Sequence, residues 1–386
     1  MKTILIAHSL PYAVSGAELA IADMIDKTGK DFRCIMLTPG EGDLSAYYRR
    51  RGFEVIAKMI QTRRRRYPGL HLAQSAYYAR YFRKRGIDGV VCNTFAAAAR
   101  VGTLCRMAGI PHAVYVREYI RNIPLHRAIL RNADLVFAVS ADMAAYLREF
   151  MDQRKLSVAH DYINAEPLMR RVEEHRRAGT RLLPCDPGGP VVGFVGRLTP
   201  YKQPEVFIAM IPHVVRAVPG ARFVVVGAAH PSSGDYEESL KKLAVTLGVD
   251  RVVHFMGQRS DAVEIISELS VLCLTSDREP FPRTVLEAQL AGCPVVAANS
   301  GGCPELVEEG STGLLFDSTG PDAAAGLGEQ VIRLLRDSGL AATLSGKAKQ
   351  KVLGAEGSLE PVKNLERLLD RLTVPGTMDH LTGEDR

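Results

Sequence analysis

Two carboxylates stand eight residues apart in the segment 279–287, Glu-Pro-Phe-Pro-Arg-Thr-Val-Leu-Glu. The pattern predicts a loop that enters a helix over 283–292, with Gly292 as the stop signal. Glu279 then lies on the loop, and Glu287 lies about one turn inside the helix. Backbone N–H groups at the helix start and the positive end of the helix dipole favour an anion there. A ligand that is both phosphorylated and rich in hydroxyl groups, such as a nucleotide sugar, fits this combination.

Two cations follow a predicted strand at 191–196. The loop Gly-Arg-Leu-Thr-Pro-Tyr-Lys places Arg197 and Lys202 five residues apart. A guanidinium grips phosphate oxygens in a bidentate manner, and a lysine adds a compact charge. Exposed surface cations are the alternative. Phosphate binding is favoured, because this loop and the carboxylate pair belong to the same predicted domain.

A third candidate is the loop after the first strand, from Ala7 to Glu18, in which Gly16 permits close backbone approach. The loop lacks the G-x-G-x-x-G spacing of a dinucleotide site and the lysine of a Walker loop. A phosphate contact and a tight structural turn therefore both remain open. A dehydrogenase is disfavoured, because no strand-loop-helix segment carries the glycine fingerprint.

Short apolar runs alternate with amphipathic stretches along the whole chain, as in repeated βαβ units with parallel sheets. Strands are predicted at 3–8, 33–37, 53–57, 88–92, 112–116, 134–139, 155–159, 191–196, 222–227, 252–256, 271–274, 294–297 and 313–316. Helices are predicted between most of them, but none between 150 and 203 or between 337 and 359. In such sheets ligands bind outside the carboxyl ends of the strands.

The 386 residues exceed what one core usually serves, so two domains are expected. A first, acceptor-binding domain is predicted at 1–171 and a second, nucleotide-sugar-binding domain at 191–357. The segment 172–190, rich in charge, Gly and Pro, is predicted as a linker. A helix at 358–373 is expected to cross back to the first domain, and 374–386 is expected to be a disordered tail.

Charge is unevenly distributed. Residues 1–185 carry 30 Lys and Arg against 17 Asp and Glu, whereas 186–386 carry 19 against 26. The densest basic point is formed by Arg63, Arg64, Arg65 and Arg66. It can be a solvated loop, a contact to an anionic membrane surface or acceptor, where each basic residue contributes about 1 kcal/mol, or a nucleic-acid contact. Nucleic acid is not expected, because interleaved aromatic residues and a reading helix are lacking.

The seven cysteines are scattered, and none forms a C-x-x-C pair. This predicts a reducing cytoplasm with most cysteines buried, and it disfavours a metal site formed by them. The first residues lead directly into a strand pattern, and no apolar run approaches the length of a membrane span. A cytoplasmic protein with peripheral contact to the inner face of the membrane is therefore predicted.

Several motifs of the second domain together resemble the retaining glycosyltransferase family 4. They are Gly196-Arg197-Leu198 with Lys202, Gly227, Phe255-Met256-Gly257, the pair Glu279 and Glu287, Gly301-Gly302 and Gly313-Leu314-Leu315. The resemblance is specific over about 190–317 and looser over 1–165. It implies an α/β protein with the GT-B fold, in which two Rossmann-like, doubly wound domains face each other across a cleft.

The resemblance also implies roles. Arg197 and Lys202 would neutralise the donor diphosphate and stabilise it as a leaving group. Glu279 would bind the donor sugar and Glu287 the ribose, so the pair is not the acid/base pair of a glycoside hydrolase. The remaining donor-binding positions would be Gly16, Gly196, Gly227, Gly257, Phe281, Thr284 and Val285. The donor is a nucleotide-diphosphate sugar, with no metal and no other cofactor expected.

Two positions depart from the family pattern. Pro282, predicted at the first helical position, stands where many members have glycine, which removes one N–H donor and stiffens the loop. After the fifth strand, where the family often has a catalytic histidine, this chain has Arg117 and Glu118. Our hypothesis gives Glu118 the role of acceptor base and Arg117 that of a grip on an anionic acceptor. The other candidate bases are His8, His112, His126 and His160.

These features predict a retaining glycosyltransferase that moves a sugar from a nucleotide-diphosphate sugar to a polysaccharide or glycolipid acceptor. One alternative is a nucleotide-sugar epimerase of GT-B architecture. Another is a catalytically silent sugar-nucleotide-binding protein. A silent relative would often have lost Arg197, Lys202 or Glu279, and all three are present here.

Overall fold

The computed structural model describes residues 1–11, 16–58, 60, 68–184, 188–229 and 234–374, except for the side chains of 68–72 and 355–358. The basic cluster Arg63–Arg66 and the predicted tail beyond residue 374 lie outside the described residues. The chain divides into two compact units. One comprises Met1–Tyr162 with Leu359–Arg386, and the other comprises Ile163–Ser358.

The first unit is built on a parallel sheet. Its strands are β1 (Lys2–Ala7), β2 (Phe32–Thr38), β3 (Glu54–Ala57), β4 (Gly89–Cys92), β5 (His112–Val116), β6 (Leu135–Ala138) and β7 (Leu156–Val158). Its helices are α1 (Gly16–Lys27), α2 (Asp43–Arg50), α3 (Pro68–Lys84), α4 (Phe95–Ala108), α5 (Pro124–Asn132) and α6 (Ala141–Arg148). The consecutive side chains of Ile4, Leu5 and Ile6 in β1 are all buried, as expected where helices cover both faces of a parallel sheet.

The second unit repeats this plan. It begins with α7 (Ala165–Ala178), and its strands are β8 (Val191–Val195), β9 (Arg222–Val226), β10 (Val253–Gly257), β11 (Val271–Leu274), β12 (Val295–Ala298) and β13 (Leu314–Phe316). Its further helices are α8 (Pro204–Ala217), α9 (Tyr236–Thr246), α10 (Ala262–Glu268), α11 (Arg283–Ala291), α12 (Cys303–Leu306), α13 (Ala323–Arg336) and α14 (Ser338–Leu353). The last helix, α15 (Ala355–Thr373), begins at the end of this unit.

In each sheet the strand order changes direction at one point, between β1 and β4 in the first sheet and between β8 and β11 in the second. The strand orders are β3-β2-β1-β4-β5-β6-β7 and β10-β9-β8-β11-β12-β13, and all neighbouring pairs are parallel. In the second sheet β8 pairs directly with β11, with Val192 opposite Val271. The loops that follow these two strands therefore start side by side, at the position where open α/β sheets bind ligands.

From Leu359 onward, α15 belongs to the first unit. Leu365 and Leu369 are buried there. Asn364 Nδ2 donates to the carbonyl oxygen of Val158 at 2.7 Å, and Lys2 Nζ pairs with Asp370 Oδ1 at 2.9 Å. The helix thus contributes to the fold of the unit that contains the start of the chain.

The boundary between the units differs from the sequence prediction. The second unit begins at Ile163, so the predicted first domain at 1–171 is too long. The predicted linker at 172–190 is wrong over its first part, because α7 continues to Ala178. This helix escapes prediction because only Leu168 and Val172 are buried along a highly charged sequence.

The second missed helix is α14, in which only Leu344, Ser345 and Ala348 are buried. So few apolar positions give little helical periodicity to detect. The prediction that most cysteines are buried is confirmed for those described, since all but Cys34 are buried and none forms a disulfide. Among the described residues, no helix has the length and apolar character needed to cross a bilayer.

Candidate active site

A buried ion pair joins the two loops that leave β8 and β11. Lys202 Nζ lies 2.6 Å from Glu279 Oε2, which also accepts a hydrogen bond of 2.8 Å from Ser276 Oγ. The two charged side chains are only 13% and 10% exposed. Burial alone would lower the pKa of Lys202, but the Glu279 carboxylate outweighs it, so the pKa lies above its ordinary value. Lys202 is therefore a fixed cation that lies directly beside the Glu279 carboxylate.

Further hydrogen bonds fasten these loops to each other. The buried Thr275 hydroxyl donates to the carbonyl oxygens of Lys202 at 2.7 Å and Gln203 at 2.9 Å. The Asp277 N–H donates to the Tyr201 carbonyl oxygen at 2.9 Å. The backbone that carries Lys202 is thus fixed by the residues that follow β11.

Arg197 has a different environment from Lys202, although both lie on the loop after β8. Its side chain is exposed, whereas the next residue, Leu198, is fully buried and donates its N–H to the Ala228 carbonyl oxygen at 3.1 Å. The two cations that were predicted to bind phosphate therefore have different surroundings in the structure. Lys202 is engaged by Glu279, and Arg197 extends into solvent from an anchored backbone.

Three of the predicted glycines meet where β8, β9 and β10 end. Gly227 has φ 140°, and a Cβ there would overlap the carbonyl oxygen of Gly196. Its N–H donates to the Gly257 carbonyl oxygen at 2.8 Å. Glycine at 227 is thus required by backbone conformation and by the close approach of the neighbouring strand end.

The backbone of Glu279 is fixed by the loop that follows β12. The Gly302 N–H donates to the Glu279 carbonyl oxygen at 2.8 Å. Gly301 has φ 59°, and a Cβ there would overlap the same oxygen. The Ser300 hydroxyl donates to the Ser276 carbonyl oxygen at 3.3 Å. These contacts explain the Gly-Gly pair of the sequence motif.

Helix α11 begins at Arg283 with Pro282 as its N-cap, so Pro282 precedes the first helical position rather than occupying it as predicted. Gly292, with φ 74°, ends the helix as predicted. The Val285 N–H, a predicted phosphate donor, donates to the Pro282 carbonyl oxygen at 3.0 Å and is therefore engaged in this structure. Thr284 lies half-buried in the first turn.

Two further predicted donor residues flank this turn. Phe281 is half-buried and packs against the apolar core of the second unit. Glu287 lies on α11, where its Oε1 is 3.4 Å from Arg283 Nε. Its salt bridge places Glu287 at a fixed position within the first two turns of the helix.

In the first unit, Gly16 is exposed as the first residue of α1, and residues 12–15 before it lie outside the described part. His8, just after β1, is buried, and its Nδ1 lies 4.0 Å from Glu18 Oε1. Both ring nitrogens are buried and lack a hydrogen-bond partner within the described structure. Burial, and to a smaller extent the positive charge of Arg117, lowers the pKa of His8 to about 3, so this imidazole is neutral at pH 7.

Arg117 lies inside the first unit. Its Nη2 and Nε bind Asp161 Oδ1 at 2.7 and 2.9 Å, and its Nη1 donates to both oxygens of Asn93. The guanidinium lies over the Tyr115 ring, 3.4 Å from its centroid. The hypothesis that Arg117 grips an acceptor does not fit this environment, since its charge is engaged by Asp161 and both side chains are buried.

The neighbouring Glu118 is exposed at the carboxyl end of β5. The other candidate histidines are distributed over the unit. His112 is buried with Nδ1 3.4 Å from Asp134 Oδ2, His126 contacts the Phe95 ring in an edge-to-face arrangement, and His160 is half-buried. The structure thus brings Arg117 and His8 into one buried region and leaves Glu118 accessible.

Sequence reasoning missed four residues that shape these sites, namely Thr275, Ser276, Asn93 and Asp161. The first two follow an apolar strand run, which is a detectable signal for the carboxyl edge of a sheet. Asp161 is 44 residues from Arg117, and no local spacing indicates that pair.

Two family models match successive parts of the chain, Glycosyltransferase Family 4 over 14–166 and Glycosyl transferases group 1 over 183–351. The D-inositol 3-phosphate glycosyltransferase of Corynebacterium efficiens is 38% identical over 134 residues, which cover 34% of this chain and 32% of that protein. The protein of the same name from Streptomyces scabiei is 36% identical over 243 residues, 56% of this chain and 54% of its own length. The chain thus spans about a third to about half of the length of these curated relatives.

Among solved structures, Anabaena HepE in complex with UDP-glucose is similar with a TM-score of 0.79 and 22% identity, covering 96% of this chain and all of that one. At this level of identity the similarity shows the fold alone. The two parallel sheets and this similarity together identify the GT-B fold. Since the two family matches follow one another along both parts of this fold, the chain belongs to the family 4, or GT4-type, glycosyltransferases.

Proposed function

We propose that this protein transfers a sugar, with retention of its anomeric configuration, from a nucleotide-diphosphate sugar to a polysaccharide or glycolipid acceptor. The second unit binds the donor, and the first unit binds the acceptor. The observation that carries the proposal is the Lys202–Glu279 pair at the switch point of the second sheet. A fixed cation can bind the phosphate groups of a ligand, and a fixed carboxylate beside it can bind the hydroxyl groups of the same ligand. The complex of HepE with UDP-glucose makes a uridine nucleotide the first donor to test.

In this proposal Arg197 and Lys202 neutralise the diphosphate as the bond between the anomeric carbon and the phosphate oxygen breaks. Glu279 accepts hydrogen bonds from the sugar hydroxyls and keeps Lys202 in position. The dipole and first-turn N–H groups of α11 add to the anion site, and Glu287 binds the ribose hydroxyls. The exposure of Arg197 supports its role, because the guanidinium is accessible to a ligand.

The acceptor oxygen attacks the anomeric carbon on the face from which the diphosphate leaves, and its proton passes to Glu118. The accessibility of Glu118 at the carboxyl edge of the first sheet supports this assignment. Arg117, paired with Asp161, stabilises this edge. A peripheral contact of Arg63–Arg66 with the anionic inner face of the membrane is proposed from their charge alone.

The test is the release of nucleoside diphosphate from UDP- and GDP-linked sugars, with and without glycolipid, oligosaccharide or D-inositol 3-phosphate as acceptor. Release that requires a donor and increases with an acceptor is expected. Lys202→Gln should lower the rate at least about 100-fold. Lys241→Gln is the control. It breaks the exposed ion pair of Lys241 with Glu238 at 2.7 Å in the same unit and should leave the rate unchanged.

Two outcomes of this assay would favour the alternatives. Absence of release from every donor would support a silent sugar-nucleotide-binding protein. Conversion of the donor sugar to its epimer without an acceptor would support an epimerase. Within the assay, wild-type turnover of Glu118→Gln would remove Glu118 from the mechanism.

A further inference from the structure

Two aliphatic side chains face solvent where β5 continues into α5. Ile123 is 39% exposed and Leu125 is 63% exposed, with the exposed Pro124 between them. The segment 121–127, called the β5–α5 tip below, follows the carboxyl end of β5. It starts three residues after Glu118 and therefore lies at the edge of the sheet where substrates bind in open α/β folds.

The backbone of the β5–α5 tip is held by its own contacts. His126 Nδ1 donates to the Arg121 carbonyl oxygen at 2.7 Å, and the His126 ring lies 4.8 Å from the ring of Phe95. The Arg127 N–H donates to the Ile123 carbonyl oxygen at 3.1 Å. The outward position of the aliphatic side chains is thus determined by a structured turn that is anchored on α4.

Cations stand beside these aliphatic side chains. Arg121 and Arg127 are exposed, and neither forms an ion pair within the part of the chain that the structure describes. Arg127 Nε donates to Asn122 Oδ1 at 2.6 Å, which holds its guanidinium close to the turn. From 117 to 131 the sequence has four arginines and a single acidic residue, Glu118. The tip therefore combines apolar surface with a local excess of positive charge.

We propose that the β5–α5 tip docks on an anionic lipid bilayer. Ile123 and Leu125 would enter the boundary between headgroups and acyl chains, while Arg121 and Arg127 pair with anionic headgroups. A lipid surface offers both the apolar layer and the negative charge that this tip presents, whereas a free anion would leave the aliphatic side chains in water. Docking here would bring a lipid-borne acceptor to the edge that carries Glu118.

The experiment is co-sedimentation of the full chain with vesicles made of phosphatidylcholine and phosphatidylglycerol in equal amounts, and with vesicles of phosphatidylcholine alone. We expect binding to the anionic vesicles. The double variant Ile123→Ser/Leu125→Ser and the double variant Arg121→Gln/Arg127→Gln should each weaken it about ten-fold or more. Val245→Ser is the matched control, because Val245 on α9 is 64% exposed and lies in the other unit.

Several results would overturn this inference. They are absence of wild-type binding to anionic vesicles, wild-type affinity in both double variants, or loss of binding only when Arg63–Arg66 are replaced by glutamine. An unchanged thermal unfolding midpoint for each variant shows that the chain has folded. The measurement contains no donor, so its failure would leave the proposed donor chemistry intact, and failure of the donor assay would leave the docking result intact.

Discussion

Glu279 is the residue on which the contacts of the candidate donor site converge. Its carboxylate binds Lys202 and Ser276, and its carbonyl oxygen accepts from the Gly302 N–H. Because these contacts fix both its carboxylate and its backbone, Glu279 is preorganised for a ligand. Changes in the backbone around Glu279 should therefore alter donor affinity even where the fold survives.

Replacing Gly301 by alanine tests this view of Glu279. Gly301 has φ 59°, and a residue with a Cβ in this left-handed conformation lowers the stability of the fold by about 1–2 kcal/mol. The added Cβ would also overlap the Glu279 carbonyl oxygen. The loop must shift, so the Kd for the donor should rise about ten-fold or more. Calorimetric titration measures the Kd, and urea denaturation measures the free energy of unfolding.

Gly310→Ala is the control for Gly301→Ala. Gly310 also has a positive φ, 68°, but its Cβ position is open. The substitution should therefore carry a similar backbone penalty and leave donor affinity unchanged. Equal donor affinities for the two variants would mean that Gly301 does not position Glu279.

The buried His8 predicts a specific pH dependence of stability. Its pKa is about 3 in the folded chain against 6.5 in the unfolded chain. Between these values the unfolded state binds a proton that the native state does not, so stability falls as the pH falls. The slope from this group approaches about 1.4 kcal/mol per pH unit. His8→Gln should flatten the decline of unfolding free energy between pH 6 and pH 4, and parallel curves for both proteins would contradict the assignment.

Among the structural elements, the ends of parallel strands organise both candidate sites. The bounds of β5 and β11 agree with the predictions at 112–116 and 271–274, because short apolar runs buried on both faces leave a clear sequence pattern. The Lys202 and Glu279 positions follow from motifs at two such strand ends. Their direct contact could not be predicted, because the two residues are 77 positions apart and meet only through the pairing of β8 with β11.

The pair Arg117–Asp161 joins the segments that follow β5 and β7, and this predicts its effect on stability. Asp161→Asn would leave a buried guanidinium without its charged partner, which costs about 3–5 kcal/mol. Glu41→Gln breaks the exposed Arg49–Glu41 pair instead, where solvent screening should leave little effect. Urea denaturation compares the two variants, and similar small losses in both would show that the Arg117 network is not needed to join these segments.

At the scale of the whole molecule, the chain passes from the first unit to the second at residues 162–163 and returns at 358–359. The second unit is therefore continuous in sequence, whereas the first depends on α15. Leu365, Leu368, Leu369 and Leu372 of α15 are buried. The predicted helix at 358–373 covers most of α15, because this part has a regular apolar stripe.

A chain truncated after Ser358 should lose stability in the first unit alone. Residues 1–162 would lack the apolar face that α15 supplies, whereas 163–358 would keep all of their sequence. Hydrogen exchange measured by mass spectrometry should show faster exchange in β1 and β7 and unchanged protection in β8 and β11. Equal loss of protection in both units would contradict the division of the chain described above.

The central claim is that the second unit binds a nucleotide-diphosphate sugar through Lys202 and Glu279. Isothermal titration of the full chain with UDP-glucose, and with a GDP-linked sugar in parallel, tests it most directly. We expect one donor per chain to bind, and we expect Glu279→Gln to weaken binding at least about ten-fold, while Lys241→Gln binds like the wild type. Absence of binding for both donors, or wild-type affinity in Glu279→Gln, would contradict the account.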